Sequence, residues 1–251
     1  MVGAPLETAE PAMTLTLLKS ITGRVLVESH RGAESLAPAN SFRALQIGHQ
    51  RGADLIEVDA QLSADGVAFL RHNYALPDGR WCRDVTWDEL SRVVIEGEAL
   101  PKLEEVLAWA RDVDAKLSLD LKTGFTPEGK LTAEVLRVIE RTQSADRVML
   151  IAWDHNELGR AKDAHPEITT RALMRARLVD LPAALKAARV DCVSLSYDLI
   201  RPADVEQAHA LGVAITLAEM WQPDFDFVAR AGVDIVSWGD PIEAKRRLEN
   251  R

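Results

Sequence analysis

Short apolar runs alternate with longer amphipathic segments along the chain from Val25 onward. Runs such as 148–153 are almost continuously apolar, which is typical of strands that are covered by helices. Segments such as 127–142 repeat their apolar residues with the period of a helix. The pattern predicts strands at 25–29, 54–62, 116–122, 148–153, 170–174, 192–197, 213–219 and 234–240, and helices at 41–52, 103–113, 127–142, 156–165, 181–189, 201–212, 224–232 and 241–250.

The predicted strands and helices alternate strictly, with eight of each. Alternating βα units form a parallel sheet with crossover helices. Eight such units in a chain of 251 residues favour a closed (β/α)8 TIM barrel. An open doubly wound sheet is the alternative, and it requires a glycine-rich phosphate loop after its first strand. The segment 30–38 reads HRGAESLAP and lacks such a loop, so we predict an α/β fold of the barrel type.

A small hairpin insertion is predicted after the second strand. The segment 63–73 reads SADGVAFLRHN, with Asp-Gly between two alternating stretches. Asp-Gly is a strong signal for a two-residue hairpin turn. With these two residues as the turn, the register sets Asp59 opposite His72. We therefore expect the insertion to bring a histidine back to the level of a strand carboxylate.

The chain after residue 20 contains no linker or low-complexity tract, so we predict one domain at 21–251 and a flexible N-terminal arm at 1–20. The first twenty residues have acids and prolines where a signal peptide needs basic residues and a continuous apolar stretch. No apolar run approaches the length of a membrane span. We expect a cytoplasmic protein without stable membrane association.

Composition and charge limit the classes of molecule that this protein is expected to bind. The chain is 47% hydrophobic and 27% charged, which is ordinary for a protein that buries a large core. Its net charge of −9 argues against a nucleic-acid or anionic-membrane partner, because phosphate backbones are held mainly by Lys and Arg. A small phosphate ester remains compatible, since it needs only a local positive cluster or a metal. Cys82 and Cys192 lie far apart and are expected to be reduced. The sequence does not indicate an oligomeric state.

Three carboxylates are predicted at the C-terminal ends of neighbouring strands, where barrel active sites form. Glu57 and Asp59 are two residues apart and therefore share one face of the second strand. Asp120 lies at the corresponding end of the third strand. Adjacent carboxylates repel one another unless a cation or a proton intervenes. Oxygen ligands without a nearby thiolate suit Mg²⁺ or Ca²⁺, with Mn²⁺ as a further candidate.

Two histidines and two cationic residues are predicted beside these carboxylates. His30 and Arg31 follow the first strand, His72 ends the hairpin and Lys122 ends the third strand. Histidine has the unperturbed pKa that suits general acid and base catalysis near neutral pH, and Arg and Lys suit a phosphate group. Each residue alone is also explained by an ion pair, a cap or a solvated position. Because all seven fall at the same end of the predicted barrel, the set favours a catalytic site.

Four further residues are candidates for the wall of the pocket. Trp153, Trp221 and Trp238 fall at or just beyond the fourth, seventh and eighth strands, although packing in the core is the alternative for each tryptophan. Glu219 lies near the end of the seventh strand and is a candidate for contact with substrate hydroxyls.

Ordered motifs along the chain resemble those of the glycerophosphodiester phosphodiesterase family. They are HRG (30–32), PANS (38–41), GADLIEVDAQLSADGVAFLRHN (52–73), LPKLEEVL (100–107), LSLDLK (117–122) and AGVDIVSWGDP (231–241). The resemblance implies a TIM barrel that uses a divalent cation to hydrolyse a P–O bond of a small-molecule phosphodiester, releasing an alcohol and glycerol phosphate. By the same resemblance, the general acid and base are His30 and His72, the metal ligands are Glu57, Asp59 and Asp120, and the phosphate-binding residues are Arg31 and Lys122.

The chain departs from the family pattern at several positions. Ala39 and Asn73 replace two acids, and Asp120 replaces a glutamate. The seventh and eighth strands also end differently, and strands seven and eight of a barrel commonly build substrate loops. The resemblance therefore implies retained chemistry and leaves the alcohol open, with a lysophospholipase-D-like enzyme or a sugar-phosphodiester phosphodiesterase as alternatives. The two lost acids also motivate a catalytically silent barrel that only binds phosphodiesters.

Overall fold

The structure, a computed structural model, describes residues 15–218 and 224–249. Eight parallel strands close into a barrel, because the first strand pairs with both the second and the last. The predicted (β/α)8 barrel is therefore confirmed. Its strands are β1 (Leu26–Ser29), β2 (Leu55–Leu62), β6 (Leu117–Leu121), β7 (Val148–Ala152), β8 (Thr169–Met174), β9 (Cys192–Ser196), β10 (Ala214–Ala218) and β11 (Ile235–Trp238), while β3 (Ala68–Leu70), β4 (Val94–Ile95) and β5 (Glu98–Ala99) lie in the insertion after β2.

Helices follow the barrel strands and cover their outer faces. Polar residues in the preceding loops fix where several of them begin: the Ser41 side chain accepts from Ala44 N at 3.1 Å, and the Asp180 side chain accepts from Ala183 N at 2.9 Å. The helices are α1 (Lys19–Thr22), α2 (Phe42–Gln50), α3 (Trp87–Leu90), α4 (Leu103–Asp112), α5 (Lys130–Thr142), α6 (His155–Ala164), α7 (Leu181–Ala188), α8 (Pro202–His209), α9 (Phe225–Ala231) and α10 (Pro241–Glu249).

The barrel interior contains a buried ion pair beneath the strand ends. Arg171 on β8 contacts both carboxylate oxygens of Glu28 on β1, at 2.8 and 3.0 Å, and also donates to Thr216 at 3.3 Å. Glu28 is fully buried and Arg171 is 3% exposed. A bidentate pair lets each charge compensate the other in the barrel interior. It ties opposite sides of the barrel together below the end at which the predicted site residues lie.

The insertion begins with the predicted hairpin, but its register differs from the prediction by one residue. Residues 60 and 70 are partners in the β2–β3 ladder, so Asp59 faces Arg71, whose N–H donates to Asp59 O at 2.9 Å. The predicted partner, His72, is the next residue along. Gly66 has a φ of 83°, which is typical of the last position in a three-residue hairpin loop rather than a two-residue turn. The additional loop residue accounts for the shift.

Residues 15–18 and α1 lie against the N-terminal end of the barrel. Leu15 and Leu17 are buried against the lower ends of the strands, and Leu15 N donates to Thr169 Oγ1 at 3.2 Å. Residues 1–14 are outside the described part of the chain, and the predicted division at residue 20 stays a prediction. Cys82 and Cys192 are buried free thiols. None of the described helices is long and apolar enough to cross a membrane.

Candidate active site

The three predicted carboxylates meet at the C-terminal ends of β2 and β6. Alternation along β2 turns Glu57 and Asp59 to the same side, and Asp59 is the register partner of Asp120 on β6. One oxygen from each of the three lies within 4.8 Å of the others, and all three side chains are buried. The strand pattern therefore brings together the oxygen cluster that the sequence predicts.

This cluster cannot carry three negative charges without compensation. Burial and the charge of Asp59 raise the pKa of Glu57 to about 8. Burial likewise raises the pKa of Asp120, although the nearby Lys122 ammonium acts in the opposite direction. Burial also disfavours the Asp59 carboxylate, but the charge and hydrogen bond of Lys122 outweigh it and lower the pKa of Asp59. Desolvated carboxylates at this spacing bind a proton or a cation.

Lys122 and Arg31 supply the nearest positive charges. Lys122 Nζ lies 2.8 Å from Asp59 Oδ1 and 2.7 Å from Asp120 Oδ2. Arg31 Nε lies 3.4 Å from Asp59 Oδ2, and the Arg31 backbone N–H donates to Glu57 Oε2 at 2.8 Å. Both cationic side chains thus lie beside the carboxylates where the sequence predicts them.

The donor set fits a divalent cation. Asp120 Oδ1 is buried and has no hydrogen-bond partner among the described residues. A buried acceptor without a partner is costly in a folded protein. Carboxylate oxygens from Glu57, Asp59 and Asp120 are the hard ligands that Mg²⁺ and Ca²⁺ prefer. The residues present are therefore suitable for holding such an ion.

His30 lies at the end of β1, between two carboxylates. Its Nδ1 contacts Glu34 Oε1, and its Nε2 lies 3.9 Å from Glu57 Oε2. Burial disfavours the charged ring, but the hydrogen bond with Glu34 and the charges of Glu57 and Glu34 outweigh burial and raise the pKa of His30 to about 9. The arrangement favours an imidazolium whose Nδ1–H is held by Glu34.

Glu34 is a site residue that the sequence analysis missed. Residues 30–37 form consecutive turns, in which Arg31 and Gly32 have left-handed backbone conformations. Glu34 N donates to His30 O at 3.4 Å, so these turns bring the fourth residue after His30 back against its ring. The His-x-x-x-Glu spacing is the signal that identifies it once the loop is known to turn back by four residues. Glu34 supplies a carboxylate in the loop where Ala39 departs from the family pattern.

His72 reaches the site from the hairpin, although its register position differs from the prediction. Its Nδ1 donates to Asn73 Oδ1 at 2.8 Å. Gln61, which shares the inner face of β2 with Glu57 and Asp59, donates from Nε2 to Arg71 O at 2.7 Å and to Asn73 O at 2.9 Å. Gln61 thereby fixes the backbone on both sides of His72. Its position could have been predicted from the sequence, because residues 57, 59 and 61 alternate onto the same face of β2.

The loop after β1 is held in place by Asn40 and by a close backbone approach. Asn40 Nδ2 donates to Asp59 Oδ2 at 2.7 Å, and Asn40 Oδ1 accepts from Asp59 N at 2.8 Å. A Cβ placed on Gly32 would lie 2.6 Å from the carbonyl carbon of Ala44, and Gly32 has a φ of 77°. Only glycine fits both the conformation and the contact, which explains the glycine that follows His30 and Arg31.

A cavity of about 120 Å³ opens at this end of the barrel. The seven residues predicted to carry the chemistry all line it: His30, Arg31, Glu57, Asp59, His72, Asp120 and Lys122.

The candidate wall residues have different positions. Trp153 lines the cavity and is 49% exposed. Trp238 lies elsewhere, since its ring packs edge-on against Phe225 at 5.9 Å and its Nε1 donates to Glu243 at 3.1 Å. The alternation of β11 explains this difference from the prediction, because Ser237 lines the cavity and the next residue must point outward. Glu219 and Trp221 lie outside the described residues.

Comparison with known proteins agrees with this geometry. Residues 30–241 match the model of the glycerophosphoryl diester phosphodiesterase family. A glycerophosphodiester phosphodiesterase of Caldanaerobacter subterraneus subsp. tengcongensis is 27% identical over 87% of this chain and 95% of its own length.

Solved structures share the fold. A phosphodiesterase of Oleispira antarctica, in complex with the product sn-glycerol-3-phosphate, superposes with a TM-score of 0.83 at 20% identity, covering 92% of this chain and 99% of the other. A glycerophosphodiester phosphodiesterase of Parabacteroides distasonis gives a TM-score of 0.82 at 24% identity, covering 91% of this chain and 98% of the other. With the family match over residues 30–241, these findings lead to one conclusion: the chain belongs to the glycerophosphoryl diester phosphodiesterase family and is a phosphoric diester hydrolase.

Proposed function

We propose that this protein hydrolyses glycerophosphodiesters, using a divalent cation held by Glu57, Asp59 and Asp120 and the pair His30 and His72 as general acid and base. The observation that carries the proposal is that both histidines line the same cavity as the buried carboxylate cluster. The products are an alcohol and glycerol phosphate. The Oleispira neighbour, which holds sn-glycerol-3-phosphate, supports a product of this class.

The hydrogen-bond partners of the two rings divide the roles between them. The partner of His30 is the carboxylate of Glu34, which stabilises the charged ring and leaves Nε2–H as a proton donor. The partner of His72 is the neutral amide of Asn73, which fixes Nδ1–H and leaves the lone pair of Nε2 free to accept a proton. His30 is therefore the general acid and His72 the general base.

In the proposed step one histidine accepts a proton and the other donates one. His72 Nε2 takes the proton from the attacking hydroxyl as its oxygen bonds to phosphorus. The P–O bond to the leaving alcohol breaks, and His30 Nε2 gives its proton to that oxygen. The attacking hydroxyl belongs either to water, which gives glycerol phosphate directly, or to the glycerol of the substrate, which gives a cyclic phosphate first.

Arg31 and Lys122 bind the phosphate in this proposal. Both line the cavity and both already neutralise Asp59. A guanidinium and an ammonium here bind the non-bridging oxygens and so orient the phosphorus for in-line attack between the two rings. When bound, a divalent cation supplies additional charge stabilisation to those oxygens. Mg²⁺ and Ca²⁺ are the leading candidates for the ion, with Mn²⁺ as a third.

The remaining parts of the proposal concern partners and location. The buried free thiols Cys82 and Cys192 favour a reducing compartment, so a cytoplasmic location belongs to the proposal. Small phosphodiesters are the proposed substrates, and nucleic acids are not. Both histidines have an orienting partner despite the departures at Ala39 and Asn73, which argues against the silent binding barrel.

A phosphodiester panel followed by phosphorus NMR tests the function. Glycerophosphocholine, glycerophosphoethanolamine and a sugar phosphodiester are incubated with the protein in Mg²⁺, Ca²⁺ or Mn²⁺, and again with excess EDTA. We expect glycerol phosphate from at least one substrate with metal, with or without a cyclic intermediate, and none with EDTA. Full turnover in EDTA would reject the metal assignment, and no turnover of any substrate would reject the proposed function.

A further inference from the structure

The catalytic cavity has a polar floor, although the interior of a TIM barrel is usually packed with bulky apolar side chains. Alternation along β1 turns Glu28 inward one layer below His30. Four buried residues of this lower layer line the cavity, and we call them the polar floor: Glu28, Arg171, Ser194 and Ser237. The proposed mechanism gives none of them a role. An apolar cluster that includes Leu15 and Leu26 lies beneath them, at the N-terminal end of the barrel.

The charges of the polar floor compensate each other. Burial disfavours the Glu28 carboxylate, but the charge and hydrogen bond of Arg171 outweigh it, with help from Ser118 and Ser237, and lower the pKa of Glu28. Arg171 in turn holds both carboxylate oxygens of Glu28. The floor therefore carries one positive and one negative charge, already paired, and is suited to a neutral polar group rather than to a further ion.

Two polar atoms of the floor lack a partner. Ser194 Oγ and Arg171 Nε are buried and have no hydrogen bond among the described residues. They belong to neighbouring strands, and Thr216, the register partner of Ser194, accepts from Arg171 at 3.3 Å. Buried polar atoms are normally hydrogen-bonded. A hydroxyl group suits both atoms, because it accepts from the guanidinium N–H and either donates to or accepts from the serine.

A small polyol bound at the catalytic residues can reach this floor. Residues two apart on a strand are separated by about 6.6 Å, so the floor lies one such step below the residues that bind the phosphate in the proposed function. The cavity volume of about 120 Å³ exceeds the roughly 10–15 Å³ that one water needs, and it therefore admits a group of several heavy atoms. A three-carbon chain on the phosphate spans this distance.

We propose that Ser194 Oγ and Arg171 Nε bind the terminal hydroxyl of the glycerol that stays on the phosphate, and that the polar floor selects substrates in which this hydroxyl is free. The inference rests on the proposed function and identifies the residues that recognise its glycerol group. An acyl group on that oxygen removes the hydroxyl hydrogen and places a hydrocarbon chain against the pair of Glu28 and Arg171. Glycerol groups acylated at this position are therefore disfavoured.

Two phosphate monoesters test the floor independently of turnover. 3-Hydroxypropyl phosphate and propyl phosphate differ only in the terminal hydroxyl, and neither is a diester. Their Kd values are measured by calorimetry with the unmodified protein in Mg²⁺. We expect the hydroxylated ligand to bind about two- to tenfold more tightly, which is the range for one net hydrogen bond.

Matched serine variants locate the hydroxyl. Ser194→Ala should lower the ratio of the two Kd values towards one. Ser196→Ala is the control, because Ser196 lies on the same face of β9 and lines the same cavity, but its hydroxyl already donates to Asp198 at 2.8 Å. This variant should keep the ratio of the unmodified protein.

Three results would overturn the proposal: equal Kd values for the two ligands in the unmodified protein, an unchanged ratio in Ser194→Ala, or an equal loss in Ser196→Ala. Equal Kd values would mean that the floor holds only water. Hydrolysis of glycerophosphocholine by the unmodified protein tests the proposed function separately. Equal Kd values together with that hydrolysis would therefore reject the hydroxyl assignment alone.

Discussion

The imidazole of His30 contacts the Glu34 carboxylate through Nδ1, and its Nε2 lies 3.9 Å from Glu57 Oε2. The ring therefore connects a partly buried loop acid to the buried carboxylate cluster. This contact gives the His30 ring an orienting carboxylate within the loop whose Ala39 departs from the motif that the sequence resembles. In the proposed mechanism Glu34 is a positioning residue, which acts through His30 and also through Arg31, whose Nη1 lies 3.6 Å from Glu34 Oε2.

Glu34→Gln should preserve the shape of the contact and remove its charge. Glu34 raises the pKa of His30, so replacing Glu34 lowers that pKa. The His30 ring then loses its proton at a lower pH. We expect the alkaline limb of the kcat profile to move to lower pH: a fall of about one unit of pKa reduces kcat by about twofold at pH 8 and by roughly tenfold on the alkaline limb above pH 10. Glu104→Gln, at a partly exposed glutamate paired with Arg141 on the outside of the barrel, is the control and should leave the limb in place. An unmoved limb in Glu34→Gln would remove the positioning role.

Metal affinity should depend on pH through Glu57. Its pKa of about 8 without metal means that below this pH an incoming cation displaces a proton. The apparent association constant for Mg²⁺ should therefore rise by about tenfold per pH unit up to about pH 8 and then level off. Calorimetric titrations from pH 6 to 9 measure this dependence. Glu57→Gln should weaken binding and flatten the profile, and an unchanged titration in that variant would place the cation elsewhere.

The buried pair of Glu28 and Arg171 should be essential for stability as a pair. Arg171→Met leaves the fully buried Glu28 carboxylate without its partner, which costs about 3–5 kcal/mol of the free energy of unfolding. The double variant Glu28→Leu with Arg171→Met removes both charges and should recover most of that loss. Urea unfolding measures both effects.

An exposed ion pair is the control for this comparison. Arg24 is 54% exposed and pairs with Asp54 at 2.5 Å, so Arg24→Ala should cost at most about 1 kcal/mol. If Arg171→Met were no more destabilising than Arg24→Ala, the barrel interior would have to solvate Glu28 by other means.

Strand alternation and element order predict most of the fold and the site. The two-residue spacing of Glu57 and Asp59 fixes their common face, and the βα order brings Asp120 beside them. These relationships depend only on strand alternation and on the order of the elements, so they can be predicted from the sequence without knowing how the side chains pack. The outward position of Trp238 follows from the same alternation once Ser237 is known to face the cavity.

The features that the sequence did not predict depend on loop conformation. The hairpin register shifted by one residue because Gly66 adopts a left-handed conformation in a three-residue loop, which Asp-Gly alone does not distinguish from a two-residue turn. Glu34 meets His30 only because the turns after β1, with Arg31 and Gly32 in left-handed conformations, fold the chain back onto the ring.

The most direct test of the central claim, that His30 is the acid and His72 the base, compares leaving groups. Removing either histidine should reduce kcat on glycerophosphocholine by roughly 10²–10⁴-fold. With glycerophospho-p-nitrophenol, whose leaving group needs no proton, His30→Ala should recover to within about tenfold of the unmodified protein, while His72→Ala should stay impaired by about 10²-fold or more. Equal impairment of both variants on this substrate, or recovery of His72→Ala alone, would contradict the assignment.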